Sequence, residues 1–314
     1  MSADDPIALC IAGRISAEVA LARLLLAGLS PEQIASRLAT SSPRPLPHSL
    51  GALARLLSER RDGIDRLARM AAASGLDHGI ASAAPEMALA RIRAAFDRAV
   101  AGSPEASVAA YSLGDPAILR AATAELVDWL VRQRLIGPAR DVLDLGCGIG
   151  RVAAALAPRC RSVLGLDISP GMIAEARRRH GAANLRFEPT DGRDLSIVEN
   201  IQSPPPGHGG AGQPAGDLHA GFDLVLAVDS FPYLMQAGVE IAERHVADAA
   251  RLLRPGGALA ILNVSYRGDV YSDRADAARW AADHGFRLIL NGESPFTLWD
   301  GAAFLLGRTS ADDC

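Results

Sequence analysis

Val142-Leu143-Asp144-Leu145-Gly146-Cys147-Gly148-Ile149-Gly150 joins a short apolar run to a glycine-spaced turn. The apolar run predicts a buried strand over 142–145, and the glycines predict a tight turn whose backbone a ligand can approach, followed by a helix from 150. In open α/β sheets ligands bind at such strand-to-helix junctions. The signal sharpens 23 residues after Asp144, where Asp167 closes a second strand predicted over 162–167. A carboxylate there accepts hydrogen bonds from the vicinal hydroxyls of a ribose, so the two segments together predict a bound nucleoside.

The same strand-then-helix rhythm continues outward. Further strands are expected over 185–188, 222–228 and 258–264, with helices from 170 and over 239–253 and 272–284. Strands separated by helices pair in parallel through right-handed crossovers. Two last strands, over 287–291 and 302–308, have no helix between them and must be antiparallel. Between the third and fourth strands, 203–221 holds ten Pro or Gly in nineteen residues and reads as a mobile surface insertion.

Before the first strand the character changes, and residues 1–110 read as an all-helical region preceding a domain over 111–314. Ser16 caps a helix ending at Gly28, and Ser30-Pro31-Glu32-Gln33 is a capping box opening a second helix to 39. The proline-rich stretch 41–48 is a linker. Leu53, Leu56, Leu57, Ile64, Leu67 and Met70 recur at helical spacing over 49–73, with Gly63 expected to divide that helix. Helices follow over 86–100 and from the Asp115-Pro116 start to about 134.

All 32 basic residues are arginine, which excludes lysine Schiff-base chemistry and the Walker phosphate-binding lysine. Against 36 acids the net charge is −4, so the chain carries no electrostatic footprint for nucleic acid or anionic membrane. Four scattered cysteines give neither a zinc-ligand spacing nor a disulfide framework, and no metal site is expected. An acidic start and the absence of a ~20-residue apolar run point to a cytoplasmic protein.

The glycine spacing separates two nucleoside readings. A nicotinamide site requires Gly-x-Gly-x-x-Gly, but here the third glycine comes one place early, at Gly150, and Arg151 stands where that pattern wants a small residue. Asp144 beside the loop suits a cationic ligand better than a pyrophosphate.

On these residues the chain resembles the class I S-adenosylmethionine-dependent methyltransferases, over about 111–309. The 142–150 stretch is similar to that family's first motif, which holds the methionyl part of the donor. Val163-Leu164-Gly165-Leu166-Asp167-Ile168-Ser169 is similar to the ribose-binding motif, with Ile168 and Met172 against the adenine. Thr190-Asp191-Gly192 resembles the third-strand motif, whose acid accepts from the adenine amino group. Phe222-Asp223-Leu224-Val225 and Leu252-Leu253-Arg254-Pro255-Gly256-Gly257 resemble the fourth-strand motif and the turn before the fifth strand.

The resemblance implies a Rossmann-like seven-stranded methyltransferase sheet with an antiparallel last strand. It also implies in-line methyl transfer from S-adenosylmethionine, with S-adenosylhomocysteine as product. The donor site it implies comprises Asp144, Gly146, Cys147, Gly148, Gly150, Asp167, Ile168, Met172, Asp191, Gly192 and Asp229, with Tyr111 folding over the donor. By position, Asp229 is the candidate general base, and Tyr233 and Tyr266 are candidates for placing the acceptor. Asp229-Ser230-Phe231-Pro232-Tyr233 lacks the first proline of the Asp-Pro-Pro-Tyr loop of nucleic-acid amino methyltransferases, so a small-molecule acceptor is expected. The N-terminal helices then cap the acceptor pocket or form a homodimer interface. Two rival classes are a non-catalytic donor-binding regulator, suggested by the helix-turn-helix-like opening, and a nicotinamide oxidoreductase.

Overall fold

The computed structural model describes residues 5–41, 48–65, 67, 84–202, 221–263, 269–299 and 301–309. They fall into two compact units, one of Met1–Leu76, Ala95–Glu125 and Phe296–Asp300, the other of Asp77–Ala94, Leu126–Pro295 and Gly301–Cys314. Residues 42–47 of the linker expected over 41–48 and almost all of the insertion expected over 203–221 lie outside the described residues, as does Tyr266, while Ser41 ends one helix and His48 begins the next.

In the first unit, local chemistry sets the helix ends. Ser16 Oγ accepts from Val19 N at 3.1 Å to open Ala17–Leu26, and Gly28 follows its C-cap at φ 83°. Ser30 and Gln33 bond reciprocally, Gln33 N to Ser30 Oγ at 3.2 Å and Ser30 N to Gln33 Oε1 at 2.7 Å, opening Pro31–Ser41. Ile7, Leu21, Leu24, Ile34, Leu50 and Leu53 are buried and form the apolar core of these helices. Two short helices, Pro6–Ile11 and Pro104–Val108, were not expected from periodicity, being too short to establish one.

One expectation is corrected here. The break after helix His48–Glu59 falls at Arg60, and Gly63 lies inside the helical segment 61–65. Its missing side chain serves packing, since a Cβ there would meet the Leu113 carbonyl at 2.9 Å.

The second unit is built on a seven-stranded sheet ordered β3-β2-β1-β4-β5-β7-β6. Its strands are β1 (Asp141–Leu145), β2 (Ser162–Asp167), β3 (Leu185–Pro189), β4 (Phe222–Val228), β5 (Leu253–Asn263), β6 (Phe286–Glu293) and β7 (Ala302–Arg308). β1 to β5 run parallel and β7 is antiparallel to both β5 and β6. Every residue of β1 is buried, as expected of a central parallel strand covered on both faces. β5 starts five residues earlier than the predicted 258, because Leu253 already pairs with Phe222 before a register irregularity admits the Arg254–Gly257 segment.

The amino ends of the strands are tied by charge. Asp141, 1 % exposed, receives Arg161 Nε at 2.8 Å, Ser162 Oγ at 2.7 Å and Arg254 Nη2 at 2.7 Å. Asp223 accepts Arg254 Nη1 at 2.7 Å, Arg140 Nη1 at 3.2 Å and the Asp141 amide at 2.8 Å. Among the described residues no helix is long and apolar enough to cross a membrane.

The carboxyl ends are where the chain reverses its direction of growth across the sheet. β2 and β3 lie to one side of β1, while β4 and β5 lie to the other, so the β1/β4 boundary is the topological switch point.

Candidate functional site

At the end of β1 the chain turns sharply, with Gly146 at φ 76°, Gly148 at φ 54° and Gly150 at φ 77°. The amides of Gly146 and Cys147 both donate to the Leu166 carbonyl, at 2.8 and 2.9 Å, which ties the turn to β2. Two of the glycines are required by close approach. A Cβ on Gly146 would lie 2.5 Å from Ser230 Cβ, and one on Gly150 would lie 2.5 Å from Phe187 Cζ.

Asp144 is 1 % exposed, and its Oδ2 has no hydrogen-bond partner among the described residues. Burial pushes its carboxyl up to about 7; Arg151 and the Ala153 amide oppose the rise and Asp167 adds to it. The sequence reading treats Asp144 as a standing negative charge, and that expectation is revised: near neutrality the buried group is divided between acid and carboxylate. A buried carboxyl oxygen without a partner is costly and marks a place where a donor group from a ligand fits.

Asp167 closes β2 and is 8 % exposed. Its Oδ2 accepts from Gly148 N at 2.9 Å and its Oδ1 from Ser169 N at 2.8 Å, so this carboxylate holds the glycine loop and the next helix start in one arrangement. Ser169 Oγ, not Asp167, caps Pro170–Arg179, accepting from Met172 N at 3.1 Å.

Cys147 is buried with its side chain in the space left by Gly165, whose Cβ would meet Cys147 Sγ at 2.9 Å. Burial raises the thiol well above its ordinary range. What Cys147 offers a ligand is therefore backbone, not sulfur. Met172 is buried in the first turn of its helix, and Ile168 is half-buried with its Cδ1 2.7 Å from where a Gly192 Cβ would be. Asp191 is exposed at the end of β3 and accepts from Arg193 N at 3.0 Å.

Asp229 follows β4 in the left-handed region, at φ 55°, with its amide donating to the Leu262 carbonyl of β5 at 2.8 Å. A non-glycine residue there is uncommon, and such positions concentrate at functional sites. Tyr233, half-buried in helix Phe231–Ala237, has its phenol raised by burial and by the Asp229 carboxylate, which places the two side chains in electrostatic reach. Tyr111 belongs to the first unit, where it is 7 % exposed in the turn Ala110–Ser112. The structure thus gathers Asp144, the glycine turn, Asp167, Asp191 and Asp229 at the carboxyl edge of β1 to β4.

Two features at this edge were absent from the sequence reading. Ser230 Oγ is buried and lacks a hydrogen-bond partner among the described residues. Phe187 of β3 fills the space opened by Gly150 and Gly165, a role signalled only by a glycine in the middle of β2.

Comparison with known proteins agrees with this geometry. Residues 143–259 match the family model described as a methyltransferase domain. Over these residues the chain is similar to methyltransferase domains. The chain is 36 % identical over 141 residues to a trans-aconitate 2-methyltransferase of Methylobacterium nodulans, covering 44 % of this chain and 43 % of the relative. It is 28 % identical over 158 residues to an S-adenosyl-L-methionine-dependent Diels-Alderase of Talaromyces variabilis, covering 50 % and 46 %. It is 31 % identical over 133 residues to a fatty-acid O-methyltransferase of Mycolicibacterium smegmatis, covering 42 % and 39 %. Each match spans less than half of the relative's own length.

Proposed function

We propose that this protein is a class I methyltransferase that binds S-adenosylmethionine at the β1/β4 switch point and transfers its methyl group to a small-molecule acceptor by in-line displacement, releasing S-adenosylhomocysteine. The observation that carries this reading is the buried Asp144 carboxyl, whose Oδ2 lacks a partner among the described residues beside a glycine turn of positive φ. Such a group calls for a ligand that donates hydrogen bonds and carries positive charge.

When bound, the donor supplies an electrophilic methyl group on a sulfonium; the protein's contribution is alignment and exclusion of water. Asp144 and the backbone of Gly146, Cys147, Gly148 and Gly150 hold the methionyl end, and Asp167 takes the ribose hydroxyls. Ile168 and Met172 flank the adenine, with Asp191 and Gly192 at its amino edge. Asp229 serves as general base where the acceptor is a hydroxyl, and Tyr233 places the acceptor. Two of the relatives are named for trans-aconitate and for fatty acids, which supports a small-molecule acceptor. The region expected to precede the catalytic domain over 1–110 serves acceptor recognition or pairing of two copies, and the protein works in the cytoplasm.

Calorimetry with S-adenosylmethionine, S-adenosylhomocysteine and NAD in parallel tests the donor, followed by a mass screen for methylated metabolites. Binding of NAD alone would overturn the reading. The Diels-Alderase relative supports a second one, in which the donor is held without transferring its methyl group. Donor binding with no labelled methyl group in any product distinguishes it.

A further inference from the structure

Beside the carboxyl edge of the sheet, one arginine has no counter-charge among the described residues. Arg93 lies in helix Pro85–Gly102, whose residues up to Ala94 belong with the sheet to the second unit, although the sequence reading counts them in the region before the catalytic domain. Arg93 is half-buried, its Nε is buried with no hydrogen-bond partner, and among the described residues it forms no ion pair. Comparably covered arginines in this chain are paired: Arg179 with Glu175 at 2.6 Å, and Arg254 with Asp141 and Asp223 at 2.7 Å each. A guanidinium drawn out of water without an acceptor is costly, and what it lacks is an anion that the described residues do not supply.

Leu89 fixes where that anion sits. A Cβ on Gly192, at φ 79° just after β3, would lie 3.2 Å from Leu89 Cδ2 and 2.7 Å from Ile168 Cδ1, so Leu89 of the helix meets the turn at the ends of β2 and β3. Arg93 is one turn further along the same face. Helical side chains lean toward the helix N-terminus, which carries this one back over Leu89 toward Gly192. That flank is remote from the end of the site where Asp144 stands, since β3 lies two strand spacings, about 10 Å, from β1.

The edge itself is acidic, with Asp144, Asp167, Asp191 and Asp229 gathered there. Such a cleft suits a cationic donor and repels an anionic second ligand unless a fixed cation offsets it. A guanidinium gives a carboxylate two parallel hydrogen bonds as well as the charge, whereas a phosphate dianion would leave surplus negative charge beside four acids.

Resting on the donor reading above, we propose that Arg93 is an acceptor-binding residue and that the methyl acceptor is a small molecule bearing a carboxylate held by this guanidinium. Arg93 lies outside the stretch 143–259 that matches the methyltransferase model, so it marks what is particular to this chain.

The test uses the 314-residue chain, its Arg93→Gln and Arg93→Lys variants, S-adenosylmethionine labelled in the methyl group, and a metabolite extract split on an anion-exchange resin at neutral pH before reaction. The wild type should label a component of the retained, anionic fraction, and phosphatase treatment of that fraction should leave the labelling intact. At saturating donor and limiting acceptor, Arg93→Gln should be about ten- to hundredfold slower, the magnitude of a hydrogen bond to a charged group. Arg93→Lys, which keeps the charge without the fork, should recover part of the rate. The ligand-free Gln variant should melt no lower than the wild type, because no partner is lost. Its affinities for S-adenosylmethionine and for methylthioadenosine, which lacks the amino-acid tail, should be unchanged by calorimetry. Labelling confined to the unretained fraction, labelling abolished by phosphatase, or an Arg93→Gln rate equal to wild type would overturn the proposal. So would weaker binding of S-adenosylmethionine alone, which assigns Arg93 to the donor's own carboxylate, or of both probes, which assigns it to the nucleoside or the fold. A wild-type chain that binds no donor, or binds it and labels nothing, overturns the reading on which the proposal rests.

Discussion

Ser230 and Gly146 meet across the β1/β4 boundary so closely that a Cβ on Gly146 would stand 2.5 Å from Ser230 Cβ, with Gly146 at φ 76°. Gly146→Ala therefore adds left-handed strain, roughly 1–2 kcal/mol, to a steric clash of about 1–3 kcal/mol. A lower thermal midpoint and weakened donor binding are expected. Adding Ser230→Gly should recover part of the stability, the part due to the clash, and none of the donor affinity. Full recovery by the double variant would show that the backbone angle costs nothing here.

Asp144 gives a pH dependence of definite sign. Its carboxyl is raised to about 7 in the fold, by burial above all, against an unfolded value near 3.8. The ligand-free fold is thus favoured by this group below about pH 4, loses that advantage between 4 and 7, and bears the full penalty above 7. Asp144→Asn should raise stability at about pH 8 by up to about 4 kcal/mol, read as a higher melting temperature, and change little at about pH 4. Binding of a cationic ligand requires the ionised form, so wild-type affinity should climb as pH rises through 7, while the Asn variant binds weakly throughout. Arg151, Asp167 and the Ala153 amide are the groups that bias this titration. A melting temperature that responds to the substitution equally at both pH values would refute the assignment.

The parts of this molecule legible in its sequence are those set by local patterns. Buried parallel strands are continuous apolar runs, so β2, β4 and β7 fall on the expected residues 162–167, 222–228 and 302–308. The Ser30–Gln33 capping box was readable because both partners sit within four residues. The rest depended on what the fold brings together. Nothing near Ser230 says that its hydroxyl will be turned from its own helix, and a serine before Phe-Pro reads as a cap. The thiol of Cys147 is directed by Gly165, one strand away. Arg254-Pro255-Gly256-Gly257 has the composition of a turn, and only its pairing with β4 makes it part of β5. Asp144 is visible as an acid, whereas its titration near 7 follows from burial alone.

Asp229 is the group on which the chemistry of the acceptor turns. If the acceptor is a hydroxyl, Asp229→Asn should lower kcat by about 100-fold or more, at saturating donor and beyond any loss of donor affinity. Tyr233→Phe should raise KM for the acceptor with a smaller effect on kcat. Unaltered turnover by the Asn variant would remove the base role, and the acceptor would then be a nucleophile that needs no deprotonation.

At the opposite end of the strands, Arg254 joins Asp141 and Asp223, 113 and 31 residues distant in the chain. Burial opposes ionisation of Asp141, yet Arg161, Ser162 and Arg254 together hold its carboxyl down to about 2. Its contribution is present above about pH 3.8 and lost as pH falls toward 2. Arg254→Met leaves Asp141 with one guanidinium fewer and should cost about 2–4 kcal/mol at neutral pH, with the acid unfolding limb moved to higher pH. Denaturant melts at neutral pH and at about pH 3 measure both effects.

The position of β7 has a consequence for biosynthesis. β6 pairs with β7 alone, and β7 is also what covers β5. Until residues 302–308 have left the ribosome, β5 has an open edge and β6 has no strand to pair with. The sheet closes only when that segment emerges, so this half of the protein matures late and must be shielded from neighbouring chains until then.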